Sequence, residues 1–154
     1  MCRNRHPEDI PDGDNSPMKL ATYKDGSRDG QLVVVSRDLG SAHYATGIAT
    51  RLQQVLDDWG FLSPQLQDLY DSLNRGNARH AFPFDPAQCM APLPRAYQWA
   101  DGSAYINHVE LVRKARNADV PERFYPDPLL YQSGSDDFIG PRHPVVVPSG
   151  AFGI

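Results

Sequence analysis

Five residues with catalytic potential lie close together in the second half of the sequence: His108, Glu110, Arg113, Lys114 and Arg116. A histidine can act as a general base near neutral pH when a carboxylate orients its ring. Glu110 and the three cations could simply form the solvated face of a helix. The sequence therefore predicts either part of a catalytic site or an ordinary polar surface here.

The spacing around His108 does not provide a local catalytic pair. On a helix, an orienting carboxylate would have to lie three or four residues away, at Leu111 or Val112. Glu110 is only two residues away and belongs to another side of the helix. His108 is thus either a base whose partner comes from elsewhere or a structural histidine.

A second polar segment follows at residues 131–141. Ser133-Gly134-Ser135 predicts a loop whose backbone can approach a neighbour closely. Asp136 and Asp137 are adjacent, and in a strand such neighbours point to opposite faces, so they do not form a ready two-carboxylate site. The sequence contains no Ser/His/Asp order, no His-Glu-x-x-His and no Cys-x-x-Cys motif.

The composition excludes several classes of protein. A net charge of −4 over 154 residues argues against nucleic-acid binding, which needs a basic face. No apolar run approaches the roughly 20 residues of a membrane helix. Cys2 and Cys89 match no zinc or redox spacing, and no apolar segment follows the basic start of the chain. We therefore expect a cytoplasmic protein that has no nucleic-acid or membrane partner.

The first half of the chain carries regular patterns. Met18–Tyr23 and the β-branched Gln31–Ser36 predict two strands joined by a turn at residues 25–30. Ala42–Ala45 predicts a short third strand. Two amphipathic helices are then expected, the first capped by Thr46 and ended by Gly60, the second started by Ser63-Pro64 and ended by Gly76. Packed on the β-hairpin, this helical hairpin gives a small α+β unit.

The domain organisation follows from these patterns and from the 14 prolines. Within the second half, we expect a turn at Trp99–Ser103, a helix at Asn107–Arg116 and a strand at Pro144–Pro148. So few strands do not close a core, which indicates that this part is incomplete or is completed by another chain. The predicted segments are a disordered leader at 1–17, an α+β domain at 18–80, a proline-rich crossover at 81–103 and a further domain at 104–154.

From Met18 onward the chain resembles the N-terminal part of a bacterial fumarylacetoacetate hydrolase family protein. The resemblance is carried by residues 18–36, by Tyr105–Glu110 and by Leu130–Phe138. It implies that the small unit precedes the beginning of a mixed β-roll catalytic domain. It also implies an enzyme of aromatic catabolism that hydrolyses a carbon–carbon bond in a β-diketone or acylpyruvate, a diketo acid substrate, and a possible homodimer.

The resemblance assigns roles to individual residues. His108 matches the histidine of the family pattern Asn-Tyr-x-x-His-x-x-Glu and becomes the candidate general base. Tyr105 matches the tyrosine of that pattern, and Tyr131 and Gln132 become candidates for substrate binding. The family uses Mg²⁺ or Ca²⁺, held by oxygen ligands that suit a hard cation. We expect that metal in the full-length enzyme and none bound to this chain.

The sequence also departs from the family pattern. Ala104 and Leu111 stand where the pattern has asparagine and glutamate, and Asn107 and Lys114 replace a metal-binding aspartate and a catalytic histidine of fumarylacetoacetases proper. The acidic metal-binding strand would follow Phe152–Ile154. We therefore expect an inactive N-terminal portion of such an enzyme. A non-enzymatic interaction module derived from the family and a small complete enzyme that uses His108 are the alternatives.

Overall fold

The computed structural model describes residues 17–103, 105–127 and 129–153, so the predicted leader lies outside the described residues except for Pro17. Strands and helices occur together, which confirms the predicted α+β class. The elements in chain order are β1 (Lys19–Tyr23), β2 (Gln31–Val35), β3 (Ser41–Tyr44), α1 (Leu52–Asp57), α2 (Trp59–Asn74), β4 (Phe82–Pro83), β5 (Trp99–Ser103), α3 (Ile106–Ala115) and β6 (Leu129–Ser133).

The first four strands form one antiparallel sheet in the order β1-β2-β3-β4. The predicted hairpin is confirmed, with Lys19 opposite Val35 and Tyr23 opposite Gln31. Gly30 ends the turn between the two strands with a φ of +62°, and a Cβ there would lie 2.6 Å from the Tyr23 carbonyl oxygen. Only glycine fits such a position without strain.

The first helix begins later than the sequence predicts. Thr46 does not cap a helix; its hydroxyl accepts a hydrogen bond from Gln31 Nε2 at 3.2 Å. Gly47 follows with a φ of +95°, which a helix cannot contain. The helix starts instead at Leu52, where Gln54 Oε1 accepts the backbone N–H of the preceding residue, Arg51, at 3.0 Å.

The predicted boundary between the helices is also wrong. Gly60, Ser63 and Pro64 all lie inside α2, and the break falls at Asp58, whose φ of −135° and ψ of 52° are not helical. Pro64 is tolerated because it lies near the beginning of the helix and removes only one intrahelical hydrogen bond, the one to the Gly60 carbonyl. The helical pair therefore has one residue between its members instead of a loop.

The core lies on the two faces of the first sheet, because alternate side chains of β2 point in opposite directions. Leu32 and Val34 join a cluster under the helices that also contains Val55, Leu66, Tyr70 and Leu73. Val33 and Val35 join a second cluster with Tyr23, Ala42 and the flanking Phe82 and Phe84. The short strand β4 extends the sheet next to β3, and the side chain of its Phe82 packs against this second cluster.

The second half of the chain contains an antiparallel pair of strands, β5 and β6. Trp99–Ser103 is β5 and not the predicted turn, because each of its residues is paired with β6, from Trp99 opposite Ser133 to Ser103 opposite Leu129. The helix expected at Asn107–Arg116 is confirmed as α3 within one residue. The strand expected at Pro144–Pro148 is wrong: these residues have no strand pairing in the structure.

Candidate functional site

His108 lies in the first turn of α3, and its side chain is exposed. Its neighbour Val109 is buried, whereas Ile106 and Leu111 of the same helix are 45% and 59% exposed, so α3 is only partly covered and His108 lies on its open side. In the part of the chain that the structure describes, His108 has no hydrogen bond or ion pair, which agrees with the missing partner in its spacing. The ring is available to a substrate or to another domain.

Tyr105 is the N-cap residue of α3, and 73% of its surface is exposed. Its backbone carbonyl accepts the N–H of Val109 at 3.2 Å, which anchors the helix beginning immediately before His108. Tyr105 and His108 therefore share one turn of one helix. Their roles in binding and catalysis stay predictions.

Tyr131 and Gln132 lie next to each other on β6, opposite Asp101 and Ala100 of β5. Because adjacent strand residues point to opposite faces, these two side chains cannot contact the same ligand from one side of the sheet. Tyr131 makes an edge-to-face contact with Trp99, with ring centroids 5.6 Å apart. Among the described residues, no hydrogen bond joins either side chain to α3, so the structure keeps the predicted site residues on two separate elements.

The described residues do not fit the Mg²⁺ or Ca²⁺ that the family resemblance implies. Within residues 17–103, 105–127 and 129–153, no three His, Cys, Asp or Glu side chains are placed to hold a metal ion. Asp136 and Asp137 do not form a strand, and Asp136 lies 3.9 Å from the Arg28 guanidinium. No catalytic step through Mg²⁺ or Ca²⁺ follows from these residues.

Residues 135–141, here called the return segment, pass from β6 back to the first half of the chain. The Ala96 N–H donates to the Ser135 carbonyl at 2.7 Å, and the Phe138 N–H donates to the Pro94 carbonyl at 2.9 Å. Gly140 is buried so tightly against the Cys89 carbonyl and Met90 Cα that a Cβ would collide with them. The sequence predicts the close approach for the loop Ser133-Gly134-Ser135, but at Gly134 the nearest atom to a Cβ position is Asp136 Oδ1 at 4.0 Å, so the tight position lies at Gly140 instead.

Sequence reasoning missed a group of ion pairs beside this segment. Arg95 donates two hydrogen bonds to the Asp29 carboxylate, one of them from Nε at 2.7 Å. These bonds hold the pKa of Asp29 below its ordinary value of 3.8 and raise the pKa of Arg95. Arg28 Nη2 donates to the Asp136 backbone carbonyl at 3.1 Å. The pairs join residues 66 and 108 positions apart, so no local pattern could reveal them.

A cleft of about 530 Å³ opens next to the ion pairs, between α1 and residues 92–97. The Tyr97 hydroxyl donates to Asp57 Oδ2 across it at 3.3 Å, and the negative charge of Asp57 raises the pKa of Tyr97. Arg51, on the same wall, is paired with Asp25 at 3.0 Å. Both arginines that line the cleft, Arg51 and Arg95, are paired with aspartates, so the cleft fits a contact surface between two parts of the chain better than an anion site.

The geometry defines a small α+β unit with its own core, followed by a less buried pair of strands and a helix. The flanking residues 92–97 and the return segment contact the α+β unit. A family model described as fumarylacetoacetase N-terminal domain 2 matches residues 18–95, about half of the chain. The chain therefore belongs to the fumarylacetoacetase family, as its resemblance indicated, and this match covers the N-terminal portion.

Three further observations concern the family match, the domain boundaries and the helices. A search of curated proteins finds no match to the chain. The family match extends to residue 95, into the segment predicted as a crossover, and the domain boundaries drawn from the sequence stay predictions. None of the helices in the described ranges has the length and apolar character needed to cross a membrane.

Proposed function

We propose that the chain forms the N-terminal portion of a hydrolase that cleaves a carbon–carbon bond in a β-diketone or acylpyruvate. The single observation that carries this proposal is the family match over residues 18–95. The fold agrees with it, because a compact α+β unit precedes a segment whose polar side chains are open to solvent. A small diketo acid is the proposed substrate, and the cytoplasm the proposed compartment.

His108 is the proposed general base of that reaction. Its ring is exposed and has no partner among the described residues, so a bound water could approach it. A group positioned elsewhere in the assembled enzyme would have to orient the ring, since Leu111 and Val112 occupy the helix positions that face it. Tyr105, Tyr131 and Gln132 are the proposed substrate-binding residues. Because Tyr131 and Gln132 face opposite sides of the strand pair, a substrate on one side would contact only one of them.

The family's Mg²⁺ or Ca²⁺ would polarise a carbonyl of such a substrate. The described residues provide no cluster of ligands for it. We therefore propose that this chain by itself does not turn over substrate, and that the metal site belongs to a different part of the assembled enzyme. A homodimer is one arrangement in which such an enzyme could assemble.

A complementation assay tests the proposal. The chain is combined with the metal-binding domain of a fumarylacetoacetase-family hydrolase that lacks its own N-terminal portion, and Mg²⁺-dependent cleavage of an acylpyruvate is followed. We expect activity from the combination and none from the chain alone. The His108→Ala variant should abolish this activity. The matched control His80→Ala should retain it, because His80 is exposed and its side chain has no hydrogen bond among the described residues.

Two results would overturn the proposal. Turnover by the chain alone that is lost in His108→Ala would show a complete small enzyme. Absence of activity in the combination, with both parts folded, would favour the alternative of a non-enzymatic interaction module. That alternative draws support from the exposure of Leu130, Val145 and Val146, which are 72%, 71% and 85% accessible.

A further inference from the structure

The part of the chain that carries β5, α3 and β6, here called the arm, begins and ends at the same place. Its first ladder pair, Trp99 opposite Ser133, marks the base. Beyond the ladder the two strands stay together, because the Ala96 N–H reaches the Ser135 carbonyl and the Phe138 N–H reaches the Pro94 carbonyl. The chain thus enters and leaves the arm side by side, directly against the first half of the molecule.

The turn between β1 and β2 contacts both sides of this base. Asp29 accepts two hydrogen bonds from Arg95, on the entering side. Its neighbour Arg28 donates to the Asp136 carbonyl, on the leaving side, and lies 3.9 Å from the Asp136 carboxylate. A bidentate arginine–carboxylate pair fixes orientation as well as distance. One short turn therefore fastens both strands with opposite charges.

The return segment also makes apolar contacts with the first half of the molecule, and these have to be compared with the ion pairs. Gly140 packs closely against Cys89 and Met90. Beside it, a surface groove of about 340 Å³ opens between Leu20, Ile139 and Pro141. The apolar contact between the return segment and β1 is therefore incomplete at this groove.

We propose that Arg28, Asp29, Arg95 and Asp136 form an ionic clamp that fixes the base of the arm on the N-terminal unit. By holding the two strands together at the base of the β5–β6 ladder, next to Trp99 and Ser133, the clamp sets the position of β6 and of Tyr131 and Gln132. These four are positioning residues. The clamp is a property of the fold and stands whether or not the arm takes part in hydrolysis.

Amide hydrogen exchange of the full chain, followed by NMR, tests the clamp through the Ala96 and Phe138 amides. Asp29→Arg places two cations together and should speed exchange at both amides about fivefold, the scale of a partly exposed ion pair. The exchange of β2 amides should not change. The reversed pair Asp29→Arg/Arg95→Asp should restore slow exchange, which a purely steric defect would not allow.

Asp68→Arg is the matched control, since it makes the same change in charge at an exposed position on α2. It should leave Ala96 and Phe138 unchanged. If Asp29→Arg proves unfolded, the milder Arg95→Gln gives the same test, with faster exchange expected at both amides. Exchange that is unaffected by these variants, equal in the control, or not restored by the reversed pair would overturn the proposal.

Discussion

The two halves of the molecule have unequal cores. In the first half, residues of β2, α1 and α2 are fully buried in two clusters on opposite faces of a sheet. In the arm, two of the described apolar residues are buried: Val109 of α3, and Phe124, which precedes β6. Neither belongs to those clusters. All five residues of β6 are exposed. The buried core of the N-terminal unit therefore supplies most of the folding stability, and the arm keeps its position through the contacts at its base.

The two halves should differ most in how much stability is lost when a large apolar side chain is truncated. Leu66 of α2 is fully buried against β2. The substitution Leu66→Ala should lower the free energy of unfolding by about 2–5 kcal/mol, because it leaves a cavity. Leu130→Ala, at an exposed leucine of β6, should change it by less than about 0.5 kcal/mol. Urea unfolding measures both. Equal losses would contradict the comparison.

The turn that bears the clamp should be sensitive at one glycine and tolerant at another. Gly30→Ala would press a Cβ to within 2.6 Å of backbone and of Met90 Sδ, and should cost about 3 kcal/mol. Gly26 also has a positive φ, but nothing lies within 4 Å of its Cβ position. Gly26→Ala should cost only about 1 kcal/mol. Thermal unfolding distinguishes them, and a smaller loss for Gly30→Ala would be inconsistent with the tight turn.

Two tyrosines of the N-terminal unit should respond in opposite directions. The Tyr70 hydroxyl is buried without a hydrogen-bond partner among the described residues, so Tyr70→Phe should raise stability by about 1 kcal/mol. The Tyr23 hydroxyl accepts the Asp85 N–H at 2.6 Å, so Tyr23→Phe should lower stability by a similar amount. Denaturant titration checks both signs. A loss in Tyr70→Phe would indicate that its hydroxyl has a partner, such as a buried water.

The clamp should weaken in acid. The hydrogen bonds from Arg95 lower the pKa of Asp29 in the folded protein. The stabilisation that ionised Asp29 contributes is therefore fully present above the ordinary pKa of 3.8, and it is lost as pH falls through the lower folded-state pKa. NMR titration should show the Ala96 and Phe138 amide shifts following the Asp29 carboxyl below pH 3.8. In Asp29→Asn this coupled change should disappear. Its persistence would assign the acid transition to another group.

The sequence predicts those elements whose information is local. The β1–β2 hairpin and α3 were predicted correctly because alternation, turn residues and helical periodicity lie within each segment. Trp99–Ser103 looked like a turn because it contains Asp101 and Gly102, and it became a strand only through pairing with β6, about thirty residues later. The failed cap at Thr46 has a similar cause, since its hydroxyl bonds to Gln31 of β2.

The candidate site shows the same division. Spacing alone indicated that His108 has no local carboxylate, and in the structure its side chain is exposed and has no carboxylate partner among the described residues. The clamp, in contrast, joins Asp29 to Arg95 across 66 positions and could be found only after folding. The catalytic and binding roles of His108, Tyr105, Tyr131 and Gln132 come from the family resemblance and wait for the complementation assay.

Native-state hydrogen exchange over the full chain tests the unequal halves most directly. The amides of β2 and of the α2 core should exchange only through global unfolding, and those of β5, β6 and α3 should exchange orders of magnitude faster through local opening. Raising the salt concentration should speed opening at Ala96 and Phe138 without affecting β2, since salt screens the exposed ion pairs. Equal protection of both halves, insensitive to salt at the base of the arm, would contradict the account.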